Sequence, residues 1–373
     1  MKDLKVALVH DYLREYGGAE RVVEALHEMF PDAPVYTAFV DKDSLGVHWK
    51  KFENWDIRES IASRIPFIKK LYSPLRLFSA YFFESFDFSE YDVVISSTNM
   101  YMAKAVLTNP STLHICYCHT PPRSLYGYST ASNWKKNILT RTIGELINFK
   151  MRQVDFFTAQ RPDLFVANSE ETRKRIYKYY KKNAVILYPP VEQEGSEVQK
   201  VLESDPYYLY VNRLVFAKHP EIALLACKKL GVRLKVVGSG PMESSLQSVA
   251  DKNIEFLGAV DDTELGKLYS GATALLYPVE DEDFGIVPVE SMMHGVPVIA
   301  HNSGGPIETI KDGSTGILFD ALTVEGLCEA IHRFEKTTFD REKVRKHALK
   351  FSKKRFQDEM EKLVVNEVKK IKK

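Results

Sequence analysis

The chain has 373 residues, of which 45% are hydrophobic and 27% charged, a composition that argues against a disordered or low-complexity protein. At roughly 150 residues per domain, this length predicts two domains. The 51 Lys and Arg residues almost balance the 50 Asp and Glu residues, so no overall field draws the molecule to nucleic acid. Any basic surface must therefore be local.

The four cysteines do not have the paired spacing of a metal site. Cys116 and Cys118 stand two residues apart in an apolar run, so a strand would point both to one face. We interpret them as buried core thiols. The residues before His10 indicate a core strand and not a signal peptide, and no apolar run reaches the length of about 18 residues needed to span a bilayer. These features predict a reducing cytoplasmic location.

Short apolar runs alternate with longer amphipathic segments along nearly the whole chain. The runs are residues 5–9, 93–96, 113–117, 164–167, 185–188, 208–211, 234–237, 274–277, 298–300 and 316–319. Such alternation is typical of parallel sheets covered by helices on both faces, so we predict an α/β fold. A proline pair and polar residues over 189–196 predict a connection between two domains. Residues 348–373 predict an amphipathic helix with a basic tail.

Ligands of open α/β sheets bind at the carboxyl ends of strands, and the cleft between two such domains is the expected site. Gly17 and Gly18 follow the first strand and precede a helix, where backbone N–H groups and the helix dipole favour an anion. The same pair fits a turn that needs positive φ. The sequence leaves both interpretations open.

Two further loops of the second half follow predicted strands. Arg213 offers a planar fork and Lys218 a mobile charge, so together they could hold a diphosphate, although such residues are often ordinary surface charges. Gly238 opens a Gly-Ser-Gly turn that resembles part of a dinucleotide fingerprint. Because Glu243 replaces the third glycine, we do not expect NAD.

The most informative segment is residues 280–290, an acidic loop that leads through Gly285 into a helix near Pro288. Glu282 and Glu290 could both reach one ligand at the start of that helix. A divalent-metal cluster at 281–283 and a solvated acidic turn are the alternatives. The Asp-Phe-Gly triplet matches a kinase motif by chance, since no other kinase motif accompanies it.

Together these motifs resemble the family 4 retaining glycosyltransferases over essentially the whole chain. The most specific match is Glu282-x7-Glu290 in the form Glu-Asp-Phe-Gly-Ile-Val, followed by His-Gly-Val-Pro-Val. The corroborating motifs are residues 17–20, 168–170, Arg213 with Lys218, 238–241 and 303–308. The resemblance implies the GT-B fold, with two Rossmann-like domains whose parallel sheets face each other across a cleft. Residues 1–190 would form the acceptor-side domain, joined by a C-terminal helix of residues 350–373, and residues 191–349 the nucleotide-sugar donor domain.

The resemblance also implies roles for individual residues. Arg213 and Lys218 would neutralise the donor diphosphate as it leaves, Glu290 would bond the ribose hydroxyls, and Glu282 the sugar hydroxyls. The other donor contacts would come from Gly17, Gly18, Gly238, Phe284, Gly285, Ile286 and Val287. His119 matches the family's cleft histidine, which hydrogen-bonds the sugar or stabilises charge at the anomeric centre, although an isolated histidine after a strand is often structural. Asn212 departs from the glycine that many relatives have before the Arg-Leu pair, which leaves the backbone fit there open.

Residues 10–12, 17–21 and 118–123 resemble mannosyltransferases that build surface polysaccharides from GDP-mannose. This implies retaining mannosyl transfer, with no metal or other cofactor, to a lipid-linked or oligosaccharide acceptor, by a front-face mechanism in which the leaving phosphate takes the acceptor proton. A UDP-hexose donor and a non-catalytic nucleotide-sugar-binding partner subunit are the alternatives.

Residues 58–83 combine basic side chains with apolar ones at helical spacing, and Pro66 and Pro74 should divide the segment into short helices. Such a surface is suited to peripheral contact with an anionic membrane at its inner face. Alternatively, its apolar residues cover the N-terminal sheet.

Overall fold

The computed structural model describes residues 4–128, 138–192 and 206–371. The described chain divides into two compact units. The first comprises residues 4–128, 138–190 and 353–371, and the second comprises residues 191–192 and 206–352. Each unit is built around a parallel β-sheet.

The first unit has the strand order β3-β2-β1-β4-β5-β6-β7. Its strands are β1 Val6–His10, β2 Val35–Thr37, β3 Ile57–Glu59, β4 Val93–Thr98, β5 Leu113–Cys118, β6 Leu164–Ala167 and β7 Ala184–Ile186. Its helices are α1 Gly18–Met29, α2 Lys42–Leu45, α3 Ile68–Leu75, α4 Ser79–Glu84, α5 Ile138–Thr158, α6 Glu170–Tyr180 and the chain's last helix, α14 Lys353–Ile371. Every residue of β1, β4 and β5 is buried, as expected of strands covered on both faces.

Two hydrophobic clusters cover the central strands of this unit. On one face, α1 and α14 pack on β1, and α14 contributes Phe356, Met360 and Val364 to that core. On the other face, α3, α4 and Met151 of α5 pack against alternate residues of β1 and β4. Because α14 is part of this core, the C-terminal helix returns to the N-terminal unit, as the sequence predicted.

The second unit has the strand order β10-β9-β8-β11-β12-β13. Its strands are β8 Tyr208–Val211, β9 Leu234–Val237, β10 Ile254–Gly258, β11 Ala274–Tyr277, β12 Val298–His301 and β13 Gly316–Phe319. Its helices are α7 Pro220–Leu230, α8 Glu243–Val249, α9 Asp262–Gly271, α10 Ile286–Met293, α11 Pro306–Thr309, α12 Val324–Glu335 and α13 Arg341–Ala348. Residues of α7 and α12 form its largest core with alternate residues of the strands. The predicted α/β architecture of two parallel sheets is thus confirmed.

The structure corrects the predicted start of the last helix. Ser352 has φ −65° and ψ 153°, so it is extended, and the helix begins at Lys353 and not near residue 348 or 350. Phe351 therefore lies outside the helix and packs edge-on against Phe284 of the second unit, with ring centroids 5.7 Å apart. Its apolar character reflects this contact and not an amphipathic helix face.

All four cysteines are buried and none forms a disulfide bond, as predicted for core thiols. Burial raises the pKa of the Cys116 thiol to about 12, so this thiol is inert at neutral pH. In the part of the chain that the structure describes, no helix combines the length and apolarity required to cross a bilayer.

Candidate functional site

The ends of two neighbouring strands of the second unit bring together an acid and a base. β8 pairs with β11 in parallel, so the loops after both strands emerge at the same edge. Lys218, in the 3₁₀ turn after β8, forms an ion pair with Glu282, in the loop after β11. Both side chains are 14% exposed. The structure therefore brings together two residues that the sequence assigned to one site.

Tyr277, the last residue of β11, completes this cluster. Its hydroxyl donates a 2.9 Å hydrogen bond to Glu282. Burial and the charge of Glu282 raise the pKa of Tyr277 well above its ordinary value, so the phenol stays protonated and donates. Tyr277 was not among the predicted site residues, because in the sequence it is the last residue of an apolar run.

The Glu282 loop is fixed by the loop that follows β12. Gly305 donates its N–H to the carbonyl of Glu282 at 2.8 Å, and Ser303 Oγ accepts from the N–H of Asp281 at 3.1 Å. Gly304 has φ 62°, and a Cβ there would lie 2.3 Å from the Glu282 carbonyl oxygen. The Ser-Gly-Gly motif noted in the sequence thus positions the backbone around Glu282.

A similar close approach explains Gly238. This residue has φ 120°, and a Cβ on it would lie 2.0 Å from the carbonyl oxygen of Asn212, so only glycine fits. The next residue, Ser239, accepts a 2.9 Å hydrogen bond from the N–H of Leu214. The loop after β9 therefore supports the backbone on both sides of Arg213, whose side chain is exposed. Asn212 does not adopt positive φ, so glycine is not required at its position.

Glu290 lies in α10, which starts after Gly285, a residue with φ 84°. Its side chain is mostly buried, and it accepts a 3.1 Å hydrogen bond from Tyr269 of α9. Phe284 is buried against Phe351, so only its backbone is available for the ligand contact that the sequence predicted. The adjacent residues Ile286 and Val287 are half-buried.

A divalent-metal site was the alternative interpretation of the acidic residues 281–283. Across residues 4–128, 138–192 and 206–371, no three His, Cys, Asp or Glu side chains are grouped to hold a metal ion. The carboxylate of Glu282 instead contacts Lys218 and Tyr277. These two contacts of Glu282 are thus to an ammonium group and a phenol hydroxyl.

A second polar cluster lies in the first unit, at the ends of β1, β4 and β5. Ser97 Oγ lies 2.8 Å from His119 Nε2 and 3.2 Å from His10 Nδ1. His10 Nε2 lies 3.3 Å from Glu20 of α1. All four side chains are buried. Of these four residues, only His119 was assigned a role from the sequence. The strand order β1-β4-β5 places the others beside it.

The Gly17–Gly18 loop belongs to this cluster. Glu20 accepts a 2.9 Å hydrogen bond from the N–H of Gly17, which has φ −140°. Neither glycine adopts positive φ, so of the two interpretations left open by the sequence, the turn that needs positive φ is wrong. The loop is held by Glu20 through the first turn of α1.

His119 is neutral in this setting. Burial, followed by the positive charge of His10, lowers the pKa of His119 to about 3. For His10, burial lowers the pKa, but the hydrogen bond and the charge of Glu20 outweigh it, and the pKa is raised. Any positive charge in this cluster therefore resides on His10.

The basic segment at 58–83 was predicted either to contact a membrane or to cover the N-terminal sheet. It forms short helices, with Pro66 before α3 and Pro74 in its last turn. Ile68 and Phe82 belong to the core. By contrast, Leu71 is 45% and Phe78 53% exposed. Part of the segment covers the sheet, and part is a surface with unburied apolar groups.

Sequence comparisons find one matching family model and similar curated proteins. Residues 191–351 match the family described as glycosyl transferases group 1. The α-1,3/1,6-mannosyltransferase ALG2 of Kluyveromyces lactis is 25% identical over 381 residues, which cover 83% of this chain and 71% of that protein. The family match contains the second-unit site residues described above, including Lys218, Glu282 and Glu290.

Solved structures are similar over almost the full chain. Anabaena Alr3699/HepE in complex with UDP and glucose has a TM-score of 0.68 at 17% identity, covering 97% of this chain and 99% of that one. The lipopolysaccharide outer core galactosyltransferase WaaB has a TM-score of 0.66 at 16% identity, covering 98% and 100%. At these identities the likeness concerns the fold, and it confirms the expected GT-B type.

Proposed function

We propose that this chain, a glycosyltransferase whose residues 191–351 match the group 1 family, transfers mannose from GDP-mannose to a lipid-linked or oligosaccharide acceptor. The transfer retains the configuration at the anomeric carbon and uses no metal ion. The observation that carries the proposal is the Lys218–Glu282 ion pair held by Tyr277. The mannosyltransferase relative that matches most of the chain supports the choice of sugar.

The ion pair has a direct chemical use. Lys218 can exchange the carboxylate of Glu282 for the donor diphosphate, since both are anionic oxygen acceptors of its ammonium group. In this state Glu282 accepts hydrogen bonds from sugar hydroxyls, and Tyr277 keeps its orientation. One rearrangement therefore engages both halves of the donor.

Arg213 and Lys218 stabilise the leaving group. Negative charge grows on the diphosphate as the bond to the anomeric carbon breaks, and the fixed cations favour that state more than the ground state. A preorganised charge of this kind is worth on the order of 100- to 1000-fold in rate. The two cations thus supply the electrostatic stabilisation that a metal provides in other transferases.

Glu290 is assigned to the ribose hydroxyls of the donor. Its carboxylate is mostly buried and is oriented by the hydrogen bond that it accepts from Tyr269. The backbone of residues 284–287 at the start of α10 and the Gly238 loop border the phosphates.

Retention follows from a front-face substitution. A glycosidase with two flanking carboxylates would use one as nucleophile or base. In our proposal the departing phosphate oxygen takes the proton of the acceptor hydroxyl on the same face of the sugar. His119, being neutral, hydrogen-bonds the transferred sugar.

The test is a transfer assay with the purified chain, GDP-mannose or UDP-glucose, and a panel of polyprenyl-diphosphate-linked and free oligosaccharides. We expect mannose transfer that persists with EDTA, and an α-configured product identified from the one-bond C–H coupling at its anomeric carbon. Preferential use of UDP-glucose would overturn the donor assignment. Donor binding without turnover on any acceptor would favour the non-catalytic partner subunit.

We also propose that residues 58–83 rest on an anionic membrane that presents the acceptor. Leu71 and Phe78 are exposed, and so are Arg64 and Lys70 of the same segment. Apolar side chains and cations on one surface favour anionic lipid. Co-sedimentation of Leu71→Ser/Phe78→Ser with phosphatidylglycerol vesicles should fall below that of the wild type. Tyr177→Ser, which alters an exposed aromatic residue of α6, is the matched control. Equal binding by both variants would refute the membrane role.

A further inference from the structure

The hydrogen bonds around Ser97 connect His10 to His119 through a single hydroxyl. Ser97 Oγ lies between His10 Nδ1, at 3.2 Å, and His119 Nε2, at 2.8 Å. A serine hydroxyl carries one hydrogen and two lone pairs. Its hydrogen is used within these two contacts only when it donates to one ring and accepts from the other. The protonation of one histidine therefore constrains the other.

Consider first His10 with both nitrogens protonated. Its Nε2–H donates to Glu20 and its Nδ1–H donates to Ser97 Oγ. The Ser97 hydroxyl then directs its hydrogen to His119 Nε2, which is a bare nitrogen in this arrangement. Because His119 is neutral, its hydrogen lies on Nδ1, and the ring presents a hydrogen-bond donor there.

Consider next neutral His10. Its remaining hydrogen stays on Nε2, facing the Glu20 carboxylate, so Nδ1 is bare and accepts from the Ser97 hydroxyl. Ser97 Oγ then accepts from His119 Nε2–H. The His119 hydrogen has moved to Nε2, and Nδ1 now presents an acceptor. Loss of one proton from His10 thus changes His119 Nδ1 from a hydrogen-bond donor to an acceptor.

We propose that His10 and Glu20 are positioning residues that set the tautomer of His119 through Ser97. When His10 is protonated, His119 Nδ1–H can donate to an oxygen of the transferred sugar, and when His10 is neutral it cannot. This consequence for catalysis rests on the proposed role of His119. The tautomer relay itself does not depend on that role. It rests on the contacts of the four side chains, and a hydrogen bond of His10 to the Ser97 backbone also raises the pKa of His10.

The surrounding charges favour protonated His10. Glu20 contacts His10 directly, and the Asp11 carboxylate lies nearby at the end of β1. Asp11 is fixed by backbone donors, accepting from the N–H groups of Met100 at 2.7 Å and Ala103 at 2.8 Å. Both acids raise the pKa of His10 against the effect of burial, whereas burial lowers that of His119 to about 3. The relay therefore titrates at His10.

The direct test is nitrogen-15 NMR of the full chain labelled at histidine, because protonated and bare ring nitrogens differ strongly in chemical shift. Signals are assigned by their loss in His10→Asn and His119→Asn. We expect His119 to carry its hydrogen on Nδ1 at low pH and on Nε2 once His10 has lost its proton. If the His119 tautomer stays the same while His10 titrates, the relay is wrong.

Variants separate the relay from mere packing. Ser97→Ala should uncouple the His119 tautomer from the titration of His10. Ser96→Ala, the matched control, removes the equivalent 2.9 Å contact to His114 on the other face of β4 and should leave the coupling intact. Glu20→Gln should move both the His10 titration and the His119 transition to lower pH. If Ser97→Ala does not fold, the Glu20→Gln shift and the wild-type titration still decide the outcome.

Transfer kinetics then connect the relay to function. The pH profile of kcat with GDP-mannose should follow the His10 titration and shift to lower pH in Glu20→Gln. A coupled tautomer in a protein that transfers no sugar would refute the proposed function and leave the relay standing. Sugar transfer by a protein whose His119 tautomer does not change when His10 titrates would refute the relay and leave the proposed function standing.

Discussion

Lys218 and Glu282 lie on loops that follow two adjacent parallel strands, and they form an ion pair that is largely shielded from solvent. Both side chains remain 14% exposed, so an anionic ligand can reach Lys218 and replace Glu282 as its partner. The pair therefore defines the two most informative substitutions in the second unit.

Replacing Lys218 with Ala should lower kcat for GDP-mannose by on the order of 100- to 1000-fold, because the leaving diphosphate loses a preorganised cation. Steady-state kinetics measure this effect, and circular dichroism checks the fold. Lys229→Ala is the matched control, since Lys229 pairs on the surface with Glu325 and should keep full activity. Unchanged kcat in Lys218→Ala would exclude our assignment of this residue.

Replacing Glu282 with Gln should separate nucleotide binding from turnover. The substitution preserves shape but frees the Lys218 ammonium from its carboxylate, so GDP should bind as tightly as to the wild type or more tightly. Mannose transfer should fall, since the sugar hydroxyls lose a charged acceptor. Calorimetry with GDP and the transfer assay measure the two effects. Glu280→Gln, in the same loop, is the control, and parallel losses of binding and transfer would contradict the prediction.

The sequence predicted the sheets and the residues of the acidic motif, but not all of their partners. Apolar runs identify strands because both faces of a parallel sheet are buried. Strands β2, β3 and β10 were missed. β2 and β3 have three residues each, β3 carries Arg58 and Glu59, and Glu255 interrupts the apolar pattern of β10. Tyr277 and Ser97 were missed because a strand residue reveals no polar contact until the strand order is known. That order arises from long-range packing, which local patterns do not record.

Tyr269 should affect donor binding through Glu290. Tyr269→Phe removes the 3.1 Å hydrogen bond that orients the carboxylate and should raise KM for GDP-mannose by roughly 3- to 10-fold with kcat nearly unchanged. Tyr207→Phe is the control, because its hydroxyl bonds the backbone of Leu268 at 2.7 Å and not Glu290. An effect of Tyr269→Phe on kcat alone would mean that Glu290 acts on the reacting sugar.

His114 should make the first unit sensitive to acid. Burial, with the positive charge of Arg161, lowers the pKa of His114 to about 3. Among the described residues no acceptor faces its Nδ1, so a proton there would have no hydrogen-bond partner. Below the ordinary histidine pKa, about 6.5, the unfolded chain binds this proton and the folded chain does not.

The free energy of unfolding should therefore fall as pH decreases from about 6.5 towards 3, with His114 contributing at most about 1.4 kcal/mol per pH unit. His114→Asn should be less stable than the wild type at neutral pH, and the gap should narrow in acid. Urea unfolding at several pH values measures the two slopes. A constant gap would show that His114 does not titrate on unfolding.

Asp155 and Lys104 form a fully buried ion pair at 2.6 Å in the first unit. The hydroxyl of Tyr126 also donates to Asp155 at 2.7 Å, and that of Tyr180 at 3.2 Å. The two tyrosines bond different oxygens of Asp155, so Asp155→Asn keeps an acceptor for only one of them and also leaves the Lys104 ammonium without its counter-ion. Breaking a buried pair from one side costs about 3–5 kcal/mol, whereas removing the remaining charge recovers much of that loss.

We therefore expect Asp155→Asn to lower the urea midpoint strongly and Lys104→Met/Asp155→Asn to lie between the single variant and the wild type. Tryptophan fluorescence reports on this unit, because Trp49 and Trp55 belong to it. Asp358→Asn, which opens an exposed 2.7 Å pair with Lys354 on α14, should leave the midpoint almost unchanged. A double variant less stable than Asp155→Asn would show that Lys104 stabilises the fold through its packing and not through its charge.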